Sequence, residues 1–156
     1  MPYSEKTFLE NRYNNKLRIS MQKNLGKNSF ATNIDFTELS FTDNRSVGYS
    51  ISQNANIELH KKAFVYVFAS YFHTDDSNSS IYVNERNIPG VFNSSSFYGE
   101  GVRFSSTIKA KLTPKVIANF KFALTSYFNR NTISSGLRMI NSSYQTDLNL
   151  NIKYNF

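Results

Sequence analysis

The sequence predicts an all-β chain folded as an antiparallel up-and-down sheet, and three observations carry that reading. Apolar residues recur with a period of two from near the start to the last residue. Aromatics make up 15% of the chain and are all Phe (14) or Tyr (10), while charged residues are only 19%, a balance that suits strands better than helices. The links between the alternating segments switch regularly between tight and long. At 156 residues the chain is predicted to be one domain spanning 1–156.

Seven segments carry the alternation. The first sets Tyr13, Leu17, Ile19, Met21 and Leu25 against Asn14, Lys16, Arg18, Ser20, Gln22 and Asn24. The second runs through Phe30, Thr32, Ile34 and Phe36, then slips by one before Leu39 and Phe41, which predicts a β-bulge. In the third, Val47, Tyr49, Ile51, Ala55, Ile57 and Leu59 alternate with Gly48, Ser50, Ser52, Asn54, Asn56 and Glu58. The fourth, Ala63 to Ala69, is apolar on both faces, so the pattern leaves its inward side open; packing against something inside would account for it. The fifth places Tyr98, Val102, Phe104, Ile108, Ala110 and Leu112 opposite Gly99, Gly101, Arg103, Ser105, Thr107, Lys109 and Lys111. The sixth places Val116, Ala118, Phe120, Phe122 and Leu124 opposite Asn119, Lys121, Ala123 and Thr125. The last is the clearest: Tyr144, Thr146, Leu148, Leu150, Ile152, Tyr154 and Phe156 alternate with Gln145, Asp147, Asn149, Asn151, Lys153 and Asn155.

The tight links are Leu25-Gly26-Lys27-Asn28, His60-Lys61-Lys62 and Thr113-Pro114-Lys115; the long ones are 42–46, 74–96 and 131–142. A meander puts odd and even connections at opposite ends, so short turns gather at one rim and long loops at the other, as in transmembrane barrels of the outer-membrane type. Strands of about 12 residues at about 3.3 Å each, tilted by about 40°, rise roughly 30 Å, enough to cross an apolar band about 25 Å thick. In hydrocarbon every backbone amide must be paired, which a helix or a closed barrel achieves, and the period excludes the helix. Rings near segment ends (Tyr13, Tyr98, Tyr127, Phe128, Tyr144, Tyr154, Phe156) suit aromatic girdles at the two lipid boundaries. The expected fold is therefore an antiparallel up-and-down transmembrane β-barrel, or the C-terminal strands of a larger one. The alternative is a soluble, lipocalin-like barrel with its apolar face turned inward around an apolar ligand.

The closing strand, Leu148-Asn149-Leu150-Asn151-Ile152-Lys153-Tyr154-Asn155-Phe156, resembles the β-signal of outer-membrane barrels, with its alternating apolar residues and terminal aromatic. From Tyr98-Gly99-Glu100-Gly101-Val102-Arg103-Phe104 through Ser135-Gly136-Leu137 to Phe156, about the last third of the chain is similar to the final strands of a group of Bacteroidota outer-membrane barrels. The resemblance implies location in the bacterial outer membrane, contact with the lipid bilayer, and recognition of the last strand by the barrel-assembly machinery. It puts Phe156 on the periplasmic side, with Tyr144, Leu148, Leu150, Ile152 and Tyr154 facing lipid. Counting back, the three tight turns face the periplasm and the long loops face outside. Seven is odd, whereas barrels of this kind usually hold an even number of strands. Either further strands precede the seven, so that the chain is part of a larger barrel, or a weakly patterned stretch from Tyr3 to Leu9 is an eighth. The former is the favoured expectation. The amino end lacks the basic start and apolar run of a signal peptide, leaving a cytosolic chain or a mature or truncated piece of an exported one.

The function expected is that of a pore, or of a structural subunit in an envelope assembly with other envelope proteins. Lys16, Arg18, Arg103, Lys109, Lys111, Lys121 and Lys153 are expected to face the lumen and to outnumber inward Glu58, Glu100 and Asp147. A wet lumen of that sign would favour anionic solutes. The other reading is that these charges pair with carboxylates from strands or plugs. Although the formal net charge is +7, the cations are scattered singly, so nucleic acid is not an expected partner. His73 with Asp75 and Asp76 stands at the outer rim, but no nucleophile or second His lies at a motif spacing; catalysis is not expected, and neither a metal nor a cofactor is implied. The loop at 74–96, with Ile81-Tyr82-Val83 and Ile88-Pro89-Gly90-Val91-Phe92, is expected to dock a partner, fold into the mouth or cap itself.

Overall fold

Alternation between a branched or aromatic side chain and a small polar one lets a strand satisfy two environments at once, and seven such segments lie side by side here. The computed structural model describes residues 12–41, 44–91 and 95–156; the stretch from Tyr3 to Leu9 lies outside them. In chain order the strands are β1 (Tyr13–Leu25), β2 (Asn28–Ser40), β3 (Arg45–His60), β4 (Ala63–Thr74), β5 (Ile81–Val83), β6 (Ser95–Phe97), β7 (Glu100–Lys111), β8 (Val116–Tyr127) and β9 (Tyr144–Tyr154). β5 and β6 form a small hairpin of their own; the other seven build one antiparallel sheet in the order β1-β2-β3-β4-β7-β8-β9. The chain is thus all-β and up-and-down. β1 and β9 are the two edges of an open sheet, and they run in the same direction because an odd number of antiparallel strands separates one end from the other.

Short turns join β1 to β2, β3 to β4 and β7 to β8 at one rim, and the long connections from β4 to β7 and from β8 to β9 lie at the other. The link from β2 to β3 is also at that second rim; the sequence pattern predicts it as long, but it is no longer than the turn between β7 and β8. In the first turn Gly26 has φ +62°, the left-handed conformation that a two-residue hairpin demands. The bulge expected in β2 is absent. β2 pairs with both neighbours without a break, from Tyr13↔Ser40 to Leu25↔Asn28 on one side and from Ser29↔Asn56 to Ser40↔Arg45 on the other. Leu39 does not continue the outer apolar row; it turns inward with Asp35 and Thr37 and is fully buried. Among the described residues the one break in register lies between Glu58 and His60 of β3.

The two faces differ in the way the alternation predicts. Leu17, Ile19, Ile34, Phe36, Tyr49, Ile51, Phe104, Ile108, Phe120, Leu148, Leu150 and Ile152 share one face and are exposed, Leu148 and Leu150 at 66% each. Ser50, Ser52, Ser70, Arg103, Ser105, Thr107, Asn119, Lys121 and Thr125 share the other and are buried. β4, apolar on both sides, is resolved: Phe68 and Phe72 point inward with Ser70 and Thr74, while Val67, Ala69 and Tyr71 point outward. The inner rings are apolar because the β5–β6 hairpin lies on them. Phe68, Phe72, Ile81, Val83 and Phe97 form the buried apolar cluster, with Tyr127 against it.

Candidate functional site

The connection from β4 to β7 returns across the polar face of the sheet and covers it. Its seating begins with rings: Phe72 stacks on Phe97 at 5.0 Å between centroids and meets Tyr127 edge-on at 5.6 Å. A buried ionic centre then fixes it. Glu85, between β5 and β6, accepts from Arg103 Nη2 at 2.8 Å and Nε at 3.2 Å, and from Lys121 Nζ at 2.8 Å. Arg103 also donates to Thr125 Oγ1 at 2.7 Å and to Asp147 Oδ2 at 3.1 Å, which ties β7, β8 and β9 to the same point. Lys121 adds a bond to Asn87 Oδ1. Arg103 is 6% exposed and Lys121 3%, so both cations depend on this partnership. Burial pushes the Glu85 carboxyl up, but the hydrogen bonds and charges of Arg103 and Lys121 outweigh it and hold the group down at about 2.

Further bonds hold the rest of the loop. Asp76 accepts from Ser46 Oγ at 2.6 Å and from the Asn78 amide at 2.7 Å, and the Ser46 hydroxyl chiefly accounts for a carboxyl held below its usual range. Ser79 donates to the Val47 carbonyl at 3.0 Å, and Arg18 Nη2 reaches the Tyr82 carbonyl at 3.2 Å. The Arg86 guanidinium lies 4.1 Å from the Tyr66 ring centroid, and Thr107 Oγ1 donates to the Arg86 carbonyl. Close approach of the loop is possible because β3 carries Gly48 beneath it, and Gly101 of β7 leaves room for the neighbouring β8 backbone and for Phe72. A Cβ at Gly48 would overlap the Ser79 carbonyl oxygen, and one at Gly101 would strike the Ser126 carbonyl and press on Phe72. The hairpin covers the middle of the sheet and leaves a cleft on each flank, the one toward β9 polar and the one toward β1 of mixed lining. One, about 320 Å³, lies beside Lys16, Arg18, Asp35 and Tyr82 toward β1. The other, about 450 Å³, lies beside Arg103, Lys121, Gln145, Asp147 and Asn149 toward β9.

All seven residues expected to form a basic lumen fall on the polar face by register: Lys16↔Thr37, Arg18↔Asp35, Arg103↔Thr125, Lys109↔Asn119, Lys121↔Asn149, and Lys111 and Lys153 flanking Ile117. They do not act alike. Arg103 and Lys121 share Glu85, with Asp147 as the second carboxylate on Arg103, Arg18 pairs with Asp35, and Lys16 lies 5.5 Å from the Tyr82 ring centroid. Lys109, Lys111 and Lys153 cluster near the short-turn rim. Of the inward carboxylates, Glu100 is corrected: it lies on the outer face with Val102, accepts from Tyr71 Oη at 2.9 Å and stands 3.8 Å from His73 Nδ1. Position at the rim permits it, since a charge there reaches water.

Tyr144, Leu148, Leu150, Ile152 and Tyr154 all project from the outer face, and Phe156 follows just beyond the strand, exposed. No family model, curated protein or solved structure matches the chain. His73, Asp75 and Asp76 do not converge. His73 is stacked on Tyr49 on the outer face at 5.3 Å, 4.0 Å from Asp75, whereas Asp76 turns back to Ser46. Among the described residues no three His, Cys, Asp or Glu side chains gather as metal ligands would, and no helix is long and apolar enough to cross a membrane. Sequence reasoning missed Glu85 and Asp35. The signal for Glu85 was a single carboxylate among Ile81, Val83 and Ile88, in a chain whose inward cations outnumber the carboxylates on the strands.

Proposed function

We propose that the protein is the wall of an outer-membrane β-barrel, its apolar face turned to lipid and its polar face turned to a lumen that its own β4–β7 loop fills. The observation that carries this reading is inverted polarity. Large apolar side chains line the exposed face, while serines, threonines, Asn119, Arg103 and Lys121 are sealed against a loop. In water such a face is an aggregation liability, but in hydrocarbon it is the stable arrangement. The lipocalin-like alternative calls for an apolar interior, and the polar lining gives it less support. The resemblance of the closing strands to Bacteroidota outer-membrane barrels points the same way, with β9 as the segment the assembly machinery would read.

With Glu85 latched to Arg103 and Lys121, the lumen is occluded over its middle, so the protein serves as an anchored structural subunit; solute passes only when the loop is displaced. The edges of β1 and β9 require pairing in hydrocarbon. Because these edges run in parallel, an odd number of further strands between them would close the barrel through antiparallel pairs alone. The test is heat-modified gel mobility together with extraction from membranes. A band that shifts on boiling, and release by detergent but not by high salt, is the expected result; release by salt alone removes the assignment.

A further inference from the structure

The short-turn rim carries nearly all of the unbalanced charge in the molecule. Lys27, Lys61, Lys62 and Lys115 lie in the short turns, and Lys23, Lys109, Lys111 and Lys153 lie in the last three residues of strands that end there. Glu58 is the one carboxylate side chain among these positions, and it pairs with Lys27 at 2.9 Å. Eight lysines less one carboxylate leave +7, equal to the formal net charge of the whole sequence; its other ten cations and ten carboxylates cancel. At the opposite rim Arg12, Arg45, Arg130 and Arg138 are matched among the described residues by Glu38, Asp75, Asp76 and Glu100. Seven of the eight lysines are exposed and Lys109 is half-buried; Lys27 apart, none has an ion-pair partner among the described residues.

Lys109, Lys111 and Lys153 stand on the polar face. Beside the turn lysines Lys27, Lys61, Lys62 and Lys115 and the outward Lys23, however, the outer face presents Leu25, Leu59, Leu112, Tyr154 and Phe156, all exposed. Flexible cationic stems above an apolar belt fit one kind of surface, where hydrocarbon gives way to phosphate. We propose that the short-turn rim is a binding belt for anionic phospholipid headgroups. The proposal rests on the lipid-facing reading above and adds to it a preference for lipid charge.

The experiment takes the full chain folded in a zwitterionic detergent and measures its partition into vesicles of phosphatidylcholine and of equimolar phosphatidylcholine and phosphatidylglycerol. Preference for the anionic vesicles is expected, weakening at high ionic strength. Substituting Lys61→Gln, Lys62→Gln and Lys115→Gln together lowers that preference on the order of fivefold per lysine, or on the order of 100-fold for three, while Arg138→Gln at the other rim leaves it unchanged. Heat-dependent gel mobility checks that the variants are folded, and the salt dependence of the unmodified chain tests the idea without any variant. Equal partition into both vesicles overturns the belt and leaves the lipid-facing reading intact. Partition into neither overturns both. An equal loss in Arg138→Gln, or lysine-dependent binding of double-stranded DNA without an effect on vesicles, also overturns it.

Discussion

Glu85 does more than any other single side chain to keep the inner loop in place, because two buried cations from two strands meet on its carboxylate. Replacing it with Gln keeps the shape but strips the charge that offsets Arg103 and Lys121, and breaking such a centre costs about 3 kcal/mol or more. Glu85→Gln should therefore lower the unfolding temperature and open the 75–99 loop to limited proteolysis; unchanged protection would show that the aromatic cluster alone seats it. The pH dependence has a definite sign. A carboxyl held at about 2 rather than the ordinary 4.5 stabilises the fold at all pH values above the ordinary one. That contribution, about 3 kcal/mol by the size of the shift, declines as pH falls below 4.5 and is gone once pH drops beneath 2. Loop protection should thus persist at pH 4 to 5 and be lost near 2, and loss at pH 5 would contradict the latch. Gly48→Ala tests the close approach on the other side of the loop. The Ser79 backbone must shift to admit the methyl, so a destabilisation of about 1–3 kcal/mol is expected in thermal unfolding.

At the level of the elements, β9 separates the two environments its outer face could meet. Leu150 lies near its middle, 66% exposed, paired across from Phe120. A lysine there costs about 2–4 kcal/mol if hydrocarbon surrounds it and almost nothing in water. Leu150→Lys should cut the yield of heat-modifiable protein in bilayers, while Asn149→Lys on the neighbouring inward position should not. If both are tolerated alike, the outer face of β9 does not meet lipid. The β5–β6 hairpin shows the opposite logic. Three residues per strand make too small a ladder to stand alone, so its place depends on Phe72, Phe68 and the ionic centre beneath it.

For the molecule as a whole, the open edges set the main constraint. A 13-residue β1, exposed along its length, and an 11-residue β9 present rows of backbone groups that hydrocarbon would leave unsatisfied. Amides of β1 and β9 that point away from the sheet should exchange slowly with solvent once the protein sits in a bilayer, as partner strands cover them. Fast exchange there, with the rest of the sheet protected, would mean that the edges stay unpaired and that the sheet is not part of a closed wall. Charge follows the same large-scale order: the lysines collect at the short-turn rim, whereas the loop rim is balanced.

The alternation by itself determined the seven strands, their order along the chain and, outside β4 and the end of β2, which side chains share a face, because a period of two is a local property of the pleat. It also placed Tyr144 through Tyr154 and the seven basic residues on opposite faces before any contact was known. Tertiary structure alone decided the rest. The slip at Leu39 reads as a bulge in a one-dimensional pattern, yet in the fold Leu39 keeps register and buries itself inward. Glu100 reads as inward from its polarity, but the rim lets it sit outside beside His73. Whether Arg103 and Lys121 are free charges or neutralised ones depends on Glu85, 18 and 36 residues away in sequence and about 3 Å away in space. Periodicity carries no information about such a contact, since a loop returning across a sheet is placed by the cluster it buries and not by the spacing of its own residues.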